Sequence, residues 1–393
     1  MDLKTHVDFD NTEVAFSSKS DRRLFKARLL FWVVNHPFLA AISTGLVRIA
    51  IFLGLPINWI IKATVFEHFC GGETISESER SIAELASYNI KTILDYSVEG
   101  EDSEEDFEAT MKETLRTIEM AAQNSNMAFC VFKPTGLASQ VIMEKVQLGK
   151  NLTEEEGKNW QKAMERFDTI CRAGFGNDVP ILIDAEDTWI QNPIDVLTLD
   201  LMRKYNRETA IVFNTYQLYK KKALEDLKRD CETARIENFI LGAKLVRGAY
   251  MEKERERAEE KGYPDPINKS KEETDNDYNA ALEFCIENIG RLHLFSGSHN
   301  EYSNYYLTHL MEKHSLLKND KRIFFGQLYG MGDHISFNLA AAGYNVAKYV
   351  PFGPVKSVMP YLFRRAAENT SVKGQSSREL TLIRKETLRR KSR

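Results

Sequence analysis

Cysteine is scarce in this chain: five residues in 393, at positions 70, 130, 171, 231 and 285, with no CxxC pair among them. An odd number at such spacing excludes a disulfide framework or a zinc finger as the organising feature and points to reduced thiols. No HExxH motif and no close His/Asp/Glu cluster at ligand spacing occurs, so the sequence offers no metal site. The GxSxG elbow of serine hydrolases is missing too. Charge of one sign is not in excess, since the formal net charge is −4. That balance leaves no basic footprint for nucleic acid.

Long hydrophobic runs are limited to one. Leu29 to Val47 carries no formal charge and is just long enough to cross a bilayer. Asn35, His36 and Pro37 interrupt it and Arg48 closes it, so helices packed on the main domain and touching a membrane surface are expected rather than a span. The opening residues, MDLKTHVDFDNTEV, contain Asp2, Asp8, Asp10 and Glu13. A mitochondrial transit peptide would be poor in acids, and no secretory signal follows. The expected location is the cytoplasm, peripheral on the inner face of a bacterial membrane, or the matrix side in a eukaryote.

What is present is a rhythm. Short apolar, β-branched or aromatic runs cover 90–97, 129–136, 180–187, 209–217, 239–250, 292–299, 322–330 and 345–353. Charged segments with apolar residues at three- and four-residue spacing separate them, as amphipathic helices require. Eight alternations in about 270 residues fit a (βα)8 barrel of the TIM type, usually ~250 residues long. A doubly wound sheet is the alternative, but it would carry a glycine-rich phosphate turn after its first strand, and none is found. The organisation expected is a helical arm over 1–72, the barrel over 73–373 and a basic tail over 374–393. The tail reads as a solvated, partly disordered helix, with attraction to anionic lipid as the sharper reading.

Near their C-terminal ends, six of the runs place a polar or charged residue after apolar ones: Lys133, Asp184, Asn214, Arg247, His299 and Tyr349. Each alone is an ordinary strand terminator. Together they would gather at the C-terminal mouth of a barrel, where catalysis is housed. Two adjacent guanidiniums, Arg364 and Arg365, follow the eighth run in YLFRR, and each is a fork that suits a carboxylate. At the end of the fifth run, Gly248 and Ala249 remove bulk where Lys244 and Arg247 emerge, which permits close approach of a large planar or phosphorylated ligand. Gly297-Ser298-His299-Asn300 closes the sixth with small and polar groups around an imidazole.

The segments KLVRGAYMEKERERAEEKGYPDPI, GSHN, FFGQLYGMGDHISFNLAAAGYNVAKYVPFGPV and PYLFRRAAENTS resemble the proline dehydrogenase family, in order, over roughly residues 70–372. The resemblance implies oxidation of L-proline to 1-pyrroline-5-carboxylate by hydride transfer from C5 to non-covalent FAD. It implies that Arg364 and Arg365 hold the carboxylate, that Lys133, Asp184, Tyr349 and Tyr361 line the pocket, and that Leu328 and Tyr250 close over the ring. FAD would be contacted by Asn214, Lys244, Arg247, Gly248, Ala249, Ser298, His299, Asn300, Gln327 and Glu368. Position 244 is arginine in many members; the lysine here would still supply a cation near the flavin. Glu73, in the GGET turn, would pair with Arg364 and gate the pocket, and a helix after the eighth strand would lie over the mouth. Electrons would pass to a quinone, with peripheral membrane contact. With no second dinucleotide-binding unit in the chain, a separate pyrroline-5-carboxylate dehydrogenase would oxidise the product. The competing readings are 4-hydroxyproline as substrate, a Schiff-base lyase or aldolase using Lys133 or Lys244, and a membrane-associated scaffold.

Overall fold

The computed structural model describes residues 7–34, 57–97, 102–371 and 375–392, with isolated positions 36, 38, 45 and 53. Eight parallel strands close in sequence order into a barrel. They are β1 (Ile90–Tyr96), β2 (Met127–Phe132), β3 (Ile181–Ile183), β4 (Val212–Gln217), β5 (Leu241–Val246), β6 (Leu292–Gly297), β7 (Ile323–Leu328) and β8 (Val346–Phe352). Each falls inside or within two residues of one of the eight apolar runs, and helices separate every consecutive pair, so the (βα)8 expectation holds.

The chain resolves into two compact units. One is continuous, from the helix Glu104–Gln123 through β2 to β6 and into β7 as far as Gly326. The other joins the chain before that helix to the chain from Gln327 onward.

In the continuous unit, alternation along the strands sets the inner face. The Phe129 ring meets Phe213, Phe295 and Phe324 edge-on at 5.6, 5.2 and 4.9 Å. Such pairs add about 0.5–1.5 kcal/mol each to the gain from burial. Gly326 is forced by the same cluster, because a Cβ there would lie 2.2 Å from the Phe295 ring. The register Thr215↔Lys244, Lys244↔Phe295 and Phe295↔Phe324 carries this inner row across β4 to β7. With a period of two, Lys133, Asp184, Thr215, Gln217 and Lys244 fall on the Phe129 side. Outward residues meet helices instead, as Phe132 does with Phe167 at 5.0 Å.

The discontinuous unit is built on the seven-residue β1–β8 pairing, Ile90↔Val346 to Tyr96↔Phe352. The GGET turn runs beside β8, with Gly71 N donating to Pro351 O at 2.9 Å and Gly353 N to Gly72 O at 3.2 Å. A Cβ on Gly71 would meet Val350 Cγ1 at 2.5 Å, and one on Gly72 would meet Glu77 Cβ at 2.4 Å, so no other residue fits. Thr74 then caps the helix Ile75–Ala86 by accepting from Glu77 N at 3.2 Å.

The basic tail is helical, as expected, but packed rather than solvated. It is a helix, Gln375–Lys391, whose Leu380, Leu382 and Ile383 are buried with Phe16, Leu24, Ala27 and Phe31. Its cations are met by acids: Arg389 and Arg390 both bond Glu386, and reach Glu13 and Asp21 respectively. Most of the Leu29–Val47 run lies outside the described residues. Among the described ones, no helix is long and apolar enough to cross a membrane.

Candidate active site

The polar cluster of the continuous unit is made by strand ends. Asp184 N donates to Phe132 O at 3.1 Å, which extends the β2–β3 ladder by one residue and brings Asp184 beside Lys133. Lys244, one register step along β5, completes the group. Lys244 Nζ lies 2.5 Å from Asp184 Oδ1, and Lys133 Nζ lies 3.5 Å from Asp184 Oδ2. Burial pushes this carboxyl up, but the two ammonium groups outweigh it and hold Asp184 below the usual carboxylate range. The cluster is therefore a carboxylate kept ionised between two cations, with one positive charge in excess.

Asn214 is not part of it. Its amide donates to Asp195 Oδ1 at 3.0 Å, on the helix Thr188–Tyr205, so the side chain points to the outer face of β4. The residues brought inward are Thr215, donating to Ile183 O at 2.6 Å, and Gln217, donating to Glu186 O at 2.8 Å. The signal was available: counting by twos from Phe213 selects positions 215 and 217 and rejects 214.

Beyond β5, Arg247 is fixed by three bonds: Nε to Asp275 Oδ1 at 2.7 Å, Nη1 to Ser298 Oγ at 2.8 Å and Nη2 to Ser303 Oγ at 2.8 Å. Its guanidinium lies 4.3 Å from the Tyr278 ring centroid. Gly248 follows with φ +126°, and a Cβ there would stand 2.5 Å from the Tyr219 ring. Ala249 is exposed, and Tyr250 opens the helix Met251–Lys261. Ser298 and Asn300 also shape the local turn. Ser298 Oγ accepts from Asn300 N at 3.1 Å, and Asn300 Oδ1 caps the helix Glu301–Lys313 through Ser303 N at 3.0 Å. They fix the turn that displays His299.

In the discontinuous unit, β8 sends neighbouring residues to opposite faces. Lys348 is fully buried and donates to Asp333 Oδ1 at 2.6 Å, Met331 O at 2.7 Å and Leu328 O at 3.3 Å. Asp333 also meets Lys19 at 2.9 Å. Burial opposes its ionisation, yet these two lysines hold it well below the usual range. Tyr349 takes the other face, and its carbonyl accepts from Tyr329 N at 2.8 Å. Leu328 and Tyr349 are thus tied to one turn. Gln327 accepts from Ser336 Oγ at 2.8 Å, facing the helix Asp333–Ala341.

The helix Val355–Ser371 carries the two arginines. Val355, Val358, Met359, Tyr361 and Leu362 are buried with Ile61, Phe66, Phe69 and Met331. Arg365 is 7% exposed, with its guanidinium 5.0 Å from the Tyr361 ring centroid. Arg364 is half-buried, and the side chain of Glu368 lies outside the described residues. Glu73 does not make the expected pair with Arg364. Its carboxylate bonds Lys62 Nζ at 2.6 Å and accepts from Val355 N at 3.3 Å, at the positive end of this helix. Lys62 is closer in the chain and sits on the helical turn before GGET, a partner that motif reading alone does not reveal.

Comparison with known proteins follows the same lines. The proline dehydrogenase family profile matches residues 78–378. The carbapenem antibiotics biosynthesis protein CarD of Pectobacterium carotovorum subsp. carotovorum is 38% identical over 82% of this chain and 83% of its own length. The mitochondrial proline dehydrogenase 1 of Dictyostelium discoideum is 34% identical over 98% of this chain and 75% of its own. Among solved structures, proline utilization A from Bdellovibrio bacteriovorus superposes with a TM-score of 0.71 at 21% identity, over 93% of this chain, which spans only 36% of that longer protein. That last likeness is one of fold.

Proposed function

Because the chain belongs to the proline dehydrogenase family, we infer that it oxidises L-proline to 1-pyrroline-5-carboxylate with non-covalently held FAD. When bound, the flavin supplies the hydride acceptor that no amino-acid side chain can provide. The observation that carries the reading is Asp184 held ionised between Lys133, beside it past the end of β2, and Lys244, inside β5.

The residues present fit such a cofactor. Lys244 brings a buried cation and Gln217 an amide that both donates and accepts. Three of the five N–H groups of Arg247 are committed to protein, and the other two remain for an anionic ligand. Gly248 and Ala249 leave main chain unshielded beside it.

The chain's own groups then act on the substrate. Arg364 and Arg365 take the carboxylate by fork-on-fork contact, and stacking over Tyr361 keeps the Arg365 plane oriented. Tyr349, Leu328 and Tyr250 pack on the ring, which holds C5 in a reactive orientation. Hydride leaves C5 only when the ring nitrogen is uncharged. An unpaired carboxylate nearby would stabilise the ammonium form, and the two lysines on Asp184 cancel that pull. Electrons pass on to a quinone at a membrane surface, and a separate dehydrogenase oxidises the product.

The test is an absorbance spectrum of the pure protein followed by anaerobic addition of L-proline. Flavin absorbance that bleaches with L-proline, and FAD released intact by acid precipitation, are expected. Faster bleaching by trans-4-hydroxy-L-proline would reassign the substrate. A colourless protein whose Lys133 or Lys244 is trapped by borohydride would replace the reading with Schiff-base chemistry.

A further inference from the structure

Glu186, two residues beyond Asp184, has no role in the site as described. It is 5% exposed, and its bonds tie it to the ends of β2 and β4 and to the helix Thr188–Tyr205. Oε1 accepts from Thr135 N at 3.2 Å and from Thr135 Oγ1 at 2.7 Å. Its backbone N donates to Gln191 Oε1 at 2.7 Å, and its carbonyl takes the Gln217 amide at 2.8 Å. Thr135 lies two residues past Lys133, in the single turn Pro134–Gly136. One buried carboxyl therefore ties the end of β2 to that of β3, while its own peptide ties in β4.

We propose that Glu186 is a positioning residue whose ionised carboxylate, acting through Thr135, holds Lys133 in register with Asp184. This rests on the reading that Lys133 and Asp184 line the substrate pocket. Mechanically, the Pro134–Gly136 turn is held by one backbone bond, Gly136 N to Lys133 O at 3.0 Å, besides the two that Pro134 O accepts from Leu137 N and Ala138 N. The carboxylate adds two donors' worth of attachment to its middle residue. A charged acceptor binds such donors about twice as strongly as a neutral one. Protonating Glu186 loosens the turn without removing any atom.

The charged groups acting on Glu186 are Lys133 from the β2 turn and Asp187 on its own segment; β4 presents the neutral Gln217. Asp187 is itself paired with Lys253 at 2.6 Å. Burial raises the Glu186 carboxyl to about 7, with the Thr135 bonds and Lys133 opposing. The attachment is consequently weak below neutrality and firm above it.

The experiment uses the full-length holoenzyme and cyclopentanecarboxylate, a ring carboxylate with no amine, as a competitive ligand. Its inhibition constant should fall about tenfold as pH rises through about 7, a coupling of one protonation unit. In Glu186→Gln and in Thr135→Val the constant should be high and flat with pH, while Thr135→Ser retains the wild-type profile. For L-proline, both disabling variants should raise KM more than they lower kcat. An infrared difference spectrum across the same pH range should show a protonated carboxyl band that Glu186→Gln removes and Thr135→Val shifts. A pH-dependent constant that survives in Glu186→Gln overturns the proposal, as does a wild-type constant flat through neutrality. If Glu186→Gln fails to fold, Thr135→Val alone decides, since it leaves the carboxyl in place. The infrared arm needs no substrate, so failure of the proline reading would leave that band and its Thr135 dependence intact.

Discussion

Replacing Lys348 by methionine isolates the buried charge network behind Tyr349. The side chain is fully buried, and methionine matches most of its length without the charge. The change removes the 2.6 Å pair to Asp333 and the bonds to Met331 O and Leu328 O at 2.7 and 3.3 Å. Breaking one side of a buried ion pair costs ~3–5 kcal/mol. Asp333 keeps Lys19 at 2.9 Å, which places this loss at the lower end. The Met331 carbonyl, left without its donor, adds about 1 kcal/mol, so the total comes to about 4 kcal/mol. Urea denaturation should report it as a lower midpoint with an unchanged slope. Asp333→Asn alone should be similarly damaging, and the double variant should fall short of the sum by about 2 kcal/mol, because the Lys348–Asp333 pair is then removed whole and only the part-exposed Lys19 loses its partner. Because Leu328 and Tyr349 hang on the same turn, the KM for proline should rise in Lys348→Met as well. A loss under about 1 kcal/mol together with additive single changes would refute the network as a source of stability.

Gly248→Ala should destabilise by about 2–5 kcal/mol, combining a positive-φ penalty with overpacking against Tyr219, and Tyr219→Ala should relieve only the packing part in a denaturation cycle. Tyr349→Ser should raise turnover of trans-4-hydroxy-L-proline and lower that of proline by about tenfold to a hundredfold in kcat/KM. Tyr349→Phe, which keeps the bulk, should remain selective for proline, and a permissive phenylalanine variant would sink the steric account. Glu186 gives a stability signature with a definite sign. Its carboxyl, raised from 4.5 to about 7, holds an extra proton in the folded state between those values. Stability should therefore fall as pH rises through that window, by about 3 kcal/mol, and Glu186→Gln should abolish the slope in thermal melts.

The strands were legible because each is a short β-branched or aromatic run, and the polar residue near the end of six of them also flags Lys133 and Asp184. Lys244 was visible as a charge inside an apolar run, and Lys348 carried the same signal without being singled out. Asn214 is polar near a strand end, but strand parity, which Phe213 sets, turns its side chain to the outer face of β4. Glu73 misled for another reason. Its partner is fixed by how the preceding helical turn folds back, which depends on contacts such as Cys70 N to Phe66 O at 2.8 Å, not on the motif. The tail misled because seven cations dominate its composition, while Leu380, Leu382 and Ile383 supply the apolar side that buries it.

The union of the two chain ends has a consequence for synthesis. Arg390 bonds the Lys19 carbonyl across 371 positions, and the apolar side of the early arm is covered by residues of the last helix. At ~5–20 residues per second on the ribosome, that arm waits about half a minute for its cover. The continuous unit can complete itself during the wait, but the other one closes only when the helix Gln375–Lys391 emerges. A chain cut before Gln375 would therefore display Phe16, Leu24 and Phe31 to chaperones and proteases.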